Sequence, residues 1–308
     1  MEIALTVAQQ VIVIFLLILV GFVMTKKHFL TQTGIDQITS LLLSVVTPCV
    51  LIDAYQKDFE PRLAWQLLEA AVFTVILHVL AIGLCHLIFR REPTKRYRIN
   101  IFCSIYSNCG FMAIPLLSAA LGPDGVFYGS AYLAVFTIFY WIHGVFVYTG
   151  GDRKAMSWKK AVLNPGVIGT LVSLALFFAQ IRLPYVLADS VGYLAGLNTP
   201  LAMVVLGSYL SKLDFKNALK NKTMYFVCFL RLILIPLLAM GVAKGLGLNE
   251  TVAQAVMISA ACPTAAVATL FANQYHLDAD YSSEIVSVST LLSIITIPLI
   301  MMLFHLPF

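Results

Sequence analysis

Two apolar stretches decide the fold of this chain: SNCGFMAIP at residues 107–115 and SAACPTA at residues 259–265. Each places a proline among small and polar residues in the middle of a hydrophobic segment. A proline inside a helix removes one N–H donor and frees the carbonyl four residues before it, here those of Phe111 and Ser259. In hydrocarbon such groups must face protein or a water-filled cavity. The two stretches therefore predict matching interruptions in two buried helices, one in each half of the chain.

The composition is typical of an integral membrane protein. Of the 308 residues, 60% are hydrophobic and only 11% are charged, and the mean hydropathy is +0.90. The charges cluster between apolar segments of roughly 20 residues, the length that a helix needs to cross a bilayer. We predict one all-α membrane domain with ten transmembrane helices. The predicted spans are 6–25, 34–55, 64–89, 99–121, 126–149, 162–181, 186–210, 222–243, 250–274 and 283–305.

The distribution of Lys and Arg predicts the orientation, because cytoplasmic loops carry an excess of these residues. With ten spans, 15 of the 20 Lys and Arg residues fall in loops on one side and four in loops on the other. We therefore expect a multi-pass protein of the cell membrane with both termini outside. The first span is expected to stay in the protein, since Lys26 and Lys27 follow it instead of a cleavage site. The other inner-loop residues are Arg90, Arg91, Lys95, Arg96, Arg98, Arg153, Lys154, Lys159, Lys160, Lys212, Lys216, Lys220 and Lys222.

Landmarks of the first half recur in the second half in the same order. The pairs are Thr47–Pro48 with Thr199–Pro200, Asp58–Phe59 with Asp214–Phe215, Pro115 with Pro263, and Asp124 with Asp280. Because each half holds an odd number of predicted spans, the second half must be inverted relative to the first. We predict two inverted five-helix repeats, residues 1–150 and 151–308, which is a pattern of secondary transporters.

The interrupted helices predict a binding site near the bilayer centre. A helix that restarts after a break presents unpaired N–H groups and about half a unit of positive charge at its N-terminus. Two such ends would attract a small organic anion such as a mono- or dicarboxylate, whereas the freed carbonyls would suit a cation. The candidate substrate-binding residues are Asn108, Ser107, Pro115, Ser259, Pro263, Thr264, Thr47 and Thr199.

Three ionisable residues in the spans are candidates for charge coupling. Arg231 lies near mid-depth of the eighth span, where arginine is costly. It can balance a bound anion, pair with a carboxylate or hold the carbonyls of a broken helix. Asp53 and Glu69 lie near the outer face and either carry a coupled proton or sit at a wet interface. The coupling ion is then H⁺ or Na⁺, and we expect no cofactor or bound metal, since the six cysteines form no metal-ligand spacing with histidine.

Other function classes find less support in the sequence. An intramembrane enzyme would need a GxSxG, HExxH or aspartate-rich motif, and the sequence has none. A channel would need a continuous polar lining, whereas the polar residues within the spans cluster at the breaks. A nucleic-acid-binding protein would need a basic groove with interleaved aromatics, and the sequence shows no such pattern. A ligand-binding membrane sensor of the same fold stays open, although sensors usually carry a soluble signalling domain. A sodium-coupled carrier of another amphipathic solute also stays open.

Several motifs occur in an order and spacing that is specific when taken together. They are Asn108, Gly110 and Pro115 in that spacing, Asn164–Pro165 at the start of the sixth span, Thr199–Pro200, CPTAA at residues 262–266 and STLLSIITIP at residues 289–298. By these motifs the chain resembles the auxin efflux carrier family, whose bacterial members include malate and malonate permeases. The middle loop, residues 150–161, is short, unlike the extended loop of the long plant carriers.

The resemblance implies a fold similar to sodium/bile-acid symporters and sodium/proton antiporters. Spans 1, 2, 6 and 7 would form a scaffold, and spans 3–5 and 8–10 would form a transport bundle that moves like an elevator. Helices 4 and 9 would cross at Pro115 and Pro263, with Asn108 among the substrate ligands. Family members are often homodimers that associate through the scaffold.

Overall fold

The computed structural model describes residues 2–91, 96–156, 158–211 and 221–304. The four lysines Lys95, Lys212, Lys216 and Lys220 and the Asp214–Phe215 landmark lie outside the described residues. Within the described part the regular structure is helical, apart from one isolated β-bridge. The α-helices are α1 (Glu2–Lys26), α2 (Gln32–Leu41), α3 (Thr47–Ala54), α4 (Pro61–Ile88), α5 (Arg96–Ile105), α6 (Ile114–Phe139), α7 (Val145–Tyr148), α8 (Trp158–Val162), α9 (Pro165–Phe178), α10 (Tyr185–Gly196), α11 (Asn198–Leu210), α12 (Lys222–Phe229), α13 (Ile235–Leu246), α14 (Glu250–Ala261), α15 (Val267–Gln274) and α16 (Ala279–Phe304).

Seven helical segments of the described residues are long and apolar enough to cross a membrane. They are Gln9–Lys26, Gln32–Ala54, Pro61–Ile88, Cys109–Tyr148, Tyr185–Leu210, Lys222–Leu246 and Ala279–Phe304. The chain is therefore a multi-pass, all-helical membrane protein, as the composition predicts.

The other predicted spans correspond to shorter or broken helices. The predicted span 99–121 is divided between α5 and the start of the segment Cys109–Tyr148, and the predicted span 250–274 is divided between α14 and α15. The predicted span 162–181 contains the short apolar helix α9. Within α6, Gly122 has a φ of 63° and Pro123 follows it, so the chain turns there and the long segment consists of two successive helices.

π-Helical turns accommodate several of the prolines. Among the described residues these turns are Leu42–Val46, Cys109–Ala113, Tyr140–Gly144 and Leu230–Leu234. The first, second and fourth are each followed at the second position by a proline, namely Pro48, Pro115 and Pro236. A local π adjustment re-pairs backbone groups that a proline frees, so the helix continues through each of these positions.

Two glycines bring α1 and α11 into backbone contact. A Cβ added at Gly207 would lie 2.0 Å from the carbonyl oxygen of Ile18, and one added at Gly21 would lie 2.2 Å from that of Val204. Small residues at such positions permit close packing between helices in a membrane, where hydrophobic burial gives no net attraction. Helix α3 packs against α9 and α10, whereas α6 packs against α4 and α14.

Candidate functional site

The two broken helices pair with each other through their backbones. The isolated antiparallel bridge joins Ser107 to Thr264. The N–H of Asn108 donates to the carbonyl of Pro263 at 2.7 Å, and the N–H of Ala265 donates to the carbonyl of Tyr106 at 2.9 Å. Each break therefore satisfies backbone groups that the other exposes, which a membrane interior requires.

The position of the first break differs from the sequence prediction. Pro115 was expected at the crossing, but the chain leaves the helix at Tyr106 to Asn108 and Pro115 lies in the first turn of α6. The π turn Cys109–Ala113 accommodates Pro115, so this proline does not break the helix. Pro263, in contrast, lies inside the second break, where Cys262 has the extended backbone expected before proline.

Most hydroxyl groups at the crossing already have protein partners. Thr264 donates its hydroxyl to the carbonyl of Cys103 at 2.9 Å, and Ser107 donates to the Tyr132 hydroxyl at 3.1 Å. Ser259 donates to the carbonyl of Ala255 in its own helix at 2.9 Å. Of these three predicted ligands, only Ser107 also lines the neighbouring cavity described below.

A cavity of about 120 Å³ lies beside the crossing, and three helix starts of the described chain border it. They are the turn Cys109–Ala113 that follows Asn108, helix α15 that starts at Val267, and helix α9 that follows Asn164. The first N–H groups of a helix lack partners within it and carry a partial positive charge. The cavity is therefore suited to an anionic group even though no charged side chain is among its lining residues.

Asn108 supplies the free donor of this cavity. It is 4% exposed, it lines the cavity, and its Nδ2 has no hydrogen-bond partner in the described part of the chain. A buried donor without a partner is costly, so this amide is the natural contact for a ligand oxygen. The other cavity amide is already used, because Asn164 Oδ1 accepts from the N–H of Gly166 at 3.0 Å and Nδ2 donates to the Tyr140 hydroxyl at 3.3 Å.

The rest of the cavity is mainly apolar with a few hydroxyl groups. The larger apolar lining residues are Leu43, Phe111, Leu133, Phe136, Val267 and Leu270, and Ala265 and Ala266 also border the cavity. The hydroxyls belong to Thr39, Thr47, Thr137, Tyr140 and Tyr209. Thr47 is a predicted site residue, whereas Tyr140, Tyr209 and the other two threonines were not singled out. The Asn–Pro start of α9 was a readable cap signal for Asn164, but nothing in the sequence distinguishes these tyrosines from packing residues.

Thr199 and Asp53 lie in a different cavity. This second cavity, of about 280 Å³, is lined by Asp53, Ser118, Asn198 and Thr199 among others, and Pro115 borders neither cavity. Both amide atoms of the buried Asn198 are without a hydrogen-bond partner among the residues described. Glu69 is half-buried on α4 and lines neither of these cavities. The structure therefore brings Asn108, Ser107 and Thr47 together and leaves Thr199, Asp53 and Glu69 apart from them.

Arg231 holds the carbonyls of both broken helices. It is fully buried in the turn Leu230–Leu234. Its guanidinium donates to the carbonyls of Ser104, at 3.4 Å, and of Ile105 and Ala260. Of the three roles open from the sequence, the geometry shows this one.

Comparison with known proteins places the chain among transporters. A family model described as membrane transport protein matches residues 6–301. An uncharacterized transporter of Methanothermobacter thermautotrophicus is 25% identical over 302 residues, which cover 94% of this chain and 96% of that protein. One of Methanocaldococcus jannaschii is 22% identical over 308 residues with the same coverage. Auxin efflux carrier component 1 of Arabidopsis thaliana is 26% identical over 143 residues, 45% of this chain and 23% of that protein.

Proposed function

The chain belongs to the membrane transport protein family, which includes the auxin efflux carriers, and on this premise we propose that it carries a small organic anion across the cell membrane. The resemblance found in the sequence is thereby confirmed, and the protein is a membrane transporter. The substrate, the coupling and the mechanism described next are our proposal.

The observation that carries the anion proposal is the unpartnered amide of Asn108 in a cavity bordered by three helix starts. A carboxylate accepts hydrogen bonds from an amide N–H and from free backbone N–H groups, so it satisfies both features without a lysine or arginine. The apolar lining supports a substrate whose remaining part is hydrophobic. A monocarboxylate with an apolar body fits this cavity better than a dicarboxylate, because the second carboxylate would lie against apolar side chains.

The position of the cavity supports an elevator mechanism. Its lining includes Thr39 and Thr47 from the predicted second span, Asn164 from the sixth and Tyr209 from the seventh, all of them proposed scaffold spans. Leu43 and Gly166 also belong to these scaffold spans, and the remaining lining comes from spans 4, 5 and 9 of the proposed transport bundle. A site between two such bodies changes its exposure when one body slides along the other.

We further propose that the ten spans form two inverted five-helix repeats and that the protein is a homodimer through its scaffold. Both termini would face outward. The cavity at Asn108 would then open toward the inside, because its lining residues Thr39, Asn164 and Tyr209 lie at the inner ends of spans 2, 6 and 7. Asp53 and Glu69 are the proposed carriers of a coupled proton, and H⁺ and Na⁺ are the two coupling ions to be compared.

The test is a thermal-shift screen of the purified protein against small carboxylates. A bound carboxylate at one hundred times its Kd stabilises the protein by about 2.7 kcal/mol, which raises Tm measurably. We expect this shift in the wild type and in Asn198→Ala, a buried amide in the second cavity, and not in Asn108→Ala. Equal shifts in Asn108→Ala and wild type would place the site elsewhere. No shift with any carboxylate in the wild type would reject an anion carrier.

A further inference from the structure

The crossing brings together the carboxyl ends of two helices as well as the amino ends. Helix α5 ends at Ile105 and helix α14 ends at Ala261. The last carbonyls of a helix have no partner within it and carry a partial negative charge. Two such ends in a membrane interior form a site for a cation, because backbone carbonyls of broken helices coordinate Na⁺ in transporters.

The guanidinium of Arg231 occupies this position. Its Nη1 donates to the carbonyls of Ser104 and Ile105 at the end of α5, and its Nη2 donates to that of Ala260 near the end of α14. A planar guanidinium presents several fixed N–H donors, so a single side chain connects both helix ends. The turn Leu230–Leu234, followed by Pro236, places Arg231 at this depth.

Arg231 has no acidic partner in the described part of the chain. The ion pairs formed there are Lys57 with Asp124, Arg62 with Glu60, Arg96 with Asp278 and Arg182 with Asp58, each with at least one exposed side chain. A buried charge without a counter-charge is costly unless dipoles are oriented toward it. Here the carbonyl dipoles of two helix ends provide that compensation, and the positive charge of Arg231 is not neutralised by a carboxylate.

We infer that Arg231 is a tethered cation that occupies the place where the crossed helix ends would otherwise bind an inorganic cation. Resting on the proposed function, this assigns Arg231 as a positioning residue: it keeps both breaks in register, so that Asn108 faces the cavity. Anion binding then requires no Na⁺ at the crossing. Of the two coupling ions, Na⁺ is therefore excluded and H⁺ is left.

The first arm of the test uses the wild-type protein without any carboxylate. Its Tm is measured in NaCl, KCl and choline chloride at equal ionic strength. We expect the same Tm in all three salts, and a carboxylate-induced shift that is also the same in all three. A stabilisation specific to Na⁺, with or without carboxylate, overturns the assignment. Because the salt series is read without carboxylate, it remains interpretable if the anion proposal fails.

The second arm replaces the tethered cation by a free one. Arg231→Ala should lower Tm, and millimolar guanidinium chloride should restore most of this lost Tm in the variant. The same concentration should not raise the Tm of the wild type. Urea, which is neutral and of similar shape, should not restore it. Arg182→Ala removes an exposed arginine that pairs with Asp58 and should show no rescue. Absence of guanidinium rescue in a folded Arg231→Ala protein overturns the assignment, and if that variant does not fold, the salt series decides.

Discussion

The first and second breaks form one crossing, but they contribute different groups to it. The first break places Asn108 and Ser107 against the cavity and leaves the Asn108 amide free. The second break uses its groups internally, since the Pro263 carbonyl accepts from Asn108 and the Thr264 hydroxyl donates to Cys103. Two breaks that look alike in sequence thus use their side chains differently: Asn108 presents a donor to a ligand, whereas Thr264 holds the backbone in place.

The largest expected effect is a loss of stability at the second break, which the ligand-binding amide of the first break should not share. Thr264→Val should lower the free energy of unfolding by about 1–3 kcal/mol, because the buried carbonyl of Cys103 loses its donor. Asn108→Ala should leave stability unchanged or slightly raised, because it removes a buried amide that has no partner. Thermal unfolding without ligand compares the two. A stability loss in Asn108→Ala equal to that in Thr264→Val would remove the distinction between the breaks.

A smaller effect distinguishes the two prolines. Pro263→Ala should weaken carboxylate binding roughly tenfold, about 1.4 kcal/mol, because alanine permits a helical backbone where Pro263 holds Cys262 extended. Pro115→Ala should change Kd by less than about threefold, since the π turn Cys109–Ala113 already accommodates this proline and the helix continues through it. Calorimetric titration of both variants with the carboxylate gives the comparison. Equal losses of affinity would show that Pro115 is needed at the crossing as much as Pro263.

The smallest effect concerns the serines. Ser107→Ala should weaken binding by about 0.5–1 kcal/mol through loss of its hydrogen bond to Tyr132 beside the cavity. Ser259→Ala should leave binding unchanged and stability within about 0.5 kcal/mol, because its hydroxyl bonds only to its own helix. The same titration, with unfolding as a control, tests both. Weaker binding in Ser259→Ala than in Ser107→Ala would contradict the division between the breaks.

Much of this arrangement could be predicted from the sequence. The apolar composition and the small polar residues around Asn108 and Pro263 predicted a membrane protein with interrupted helices, and the motifs around them predicted the family. The place of the first break could not be predicted, because a π turn accommodates Pro115 and composition does not reveal where a helix widens by one residue. Ser259 was assigned to the site because sequence gives its polarity, but the direction of its hydrogen bond depends on the helix that contains it.

The role of Arg231 shows a second limit of sequence. Its cost in a membrane was evident, but its partners are backbone carbonyls from two other helices, and backbone groups carry no residue-type signal. Tyr140 and Tyr209 escaped prediction for a related reason, since aromatic residues in apolar spans usually serve in packing.

The backbone contact between α1 and α11 has a mechanical consequence. Where Gly21 and Gly207 meet the opposite main chain, the contact contains no side-chain torsions, and therefore no rotamers whose populations change with temperature. A contact of this kind loses no side-chain conformational entropy at the two glycines when it forms. Helices α1 and α11 therefore form a rigid pair, and a movement of the other helices can be measured relative to it.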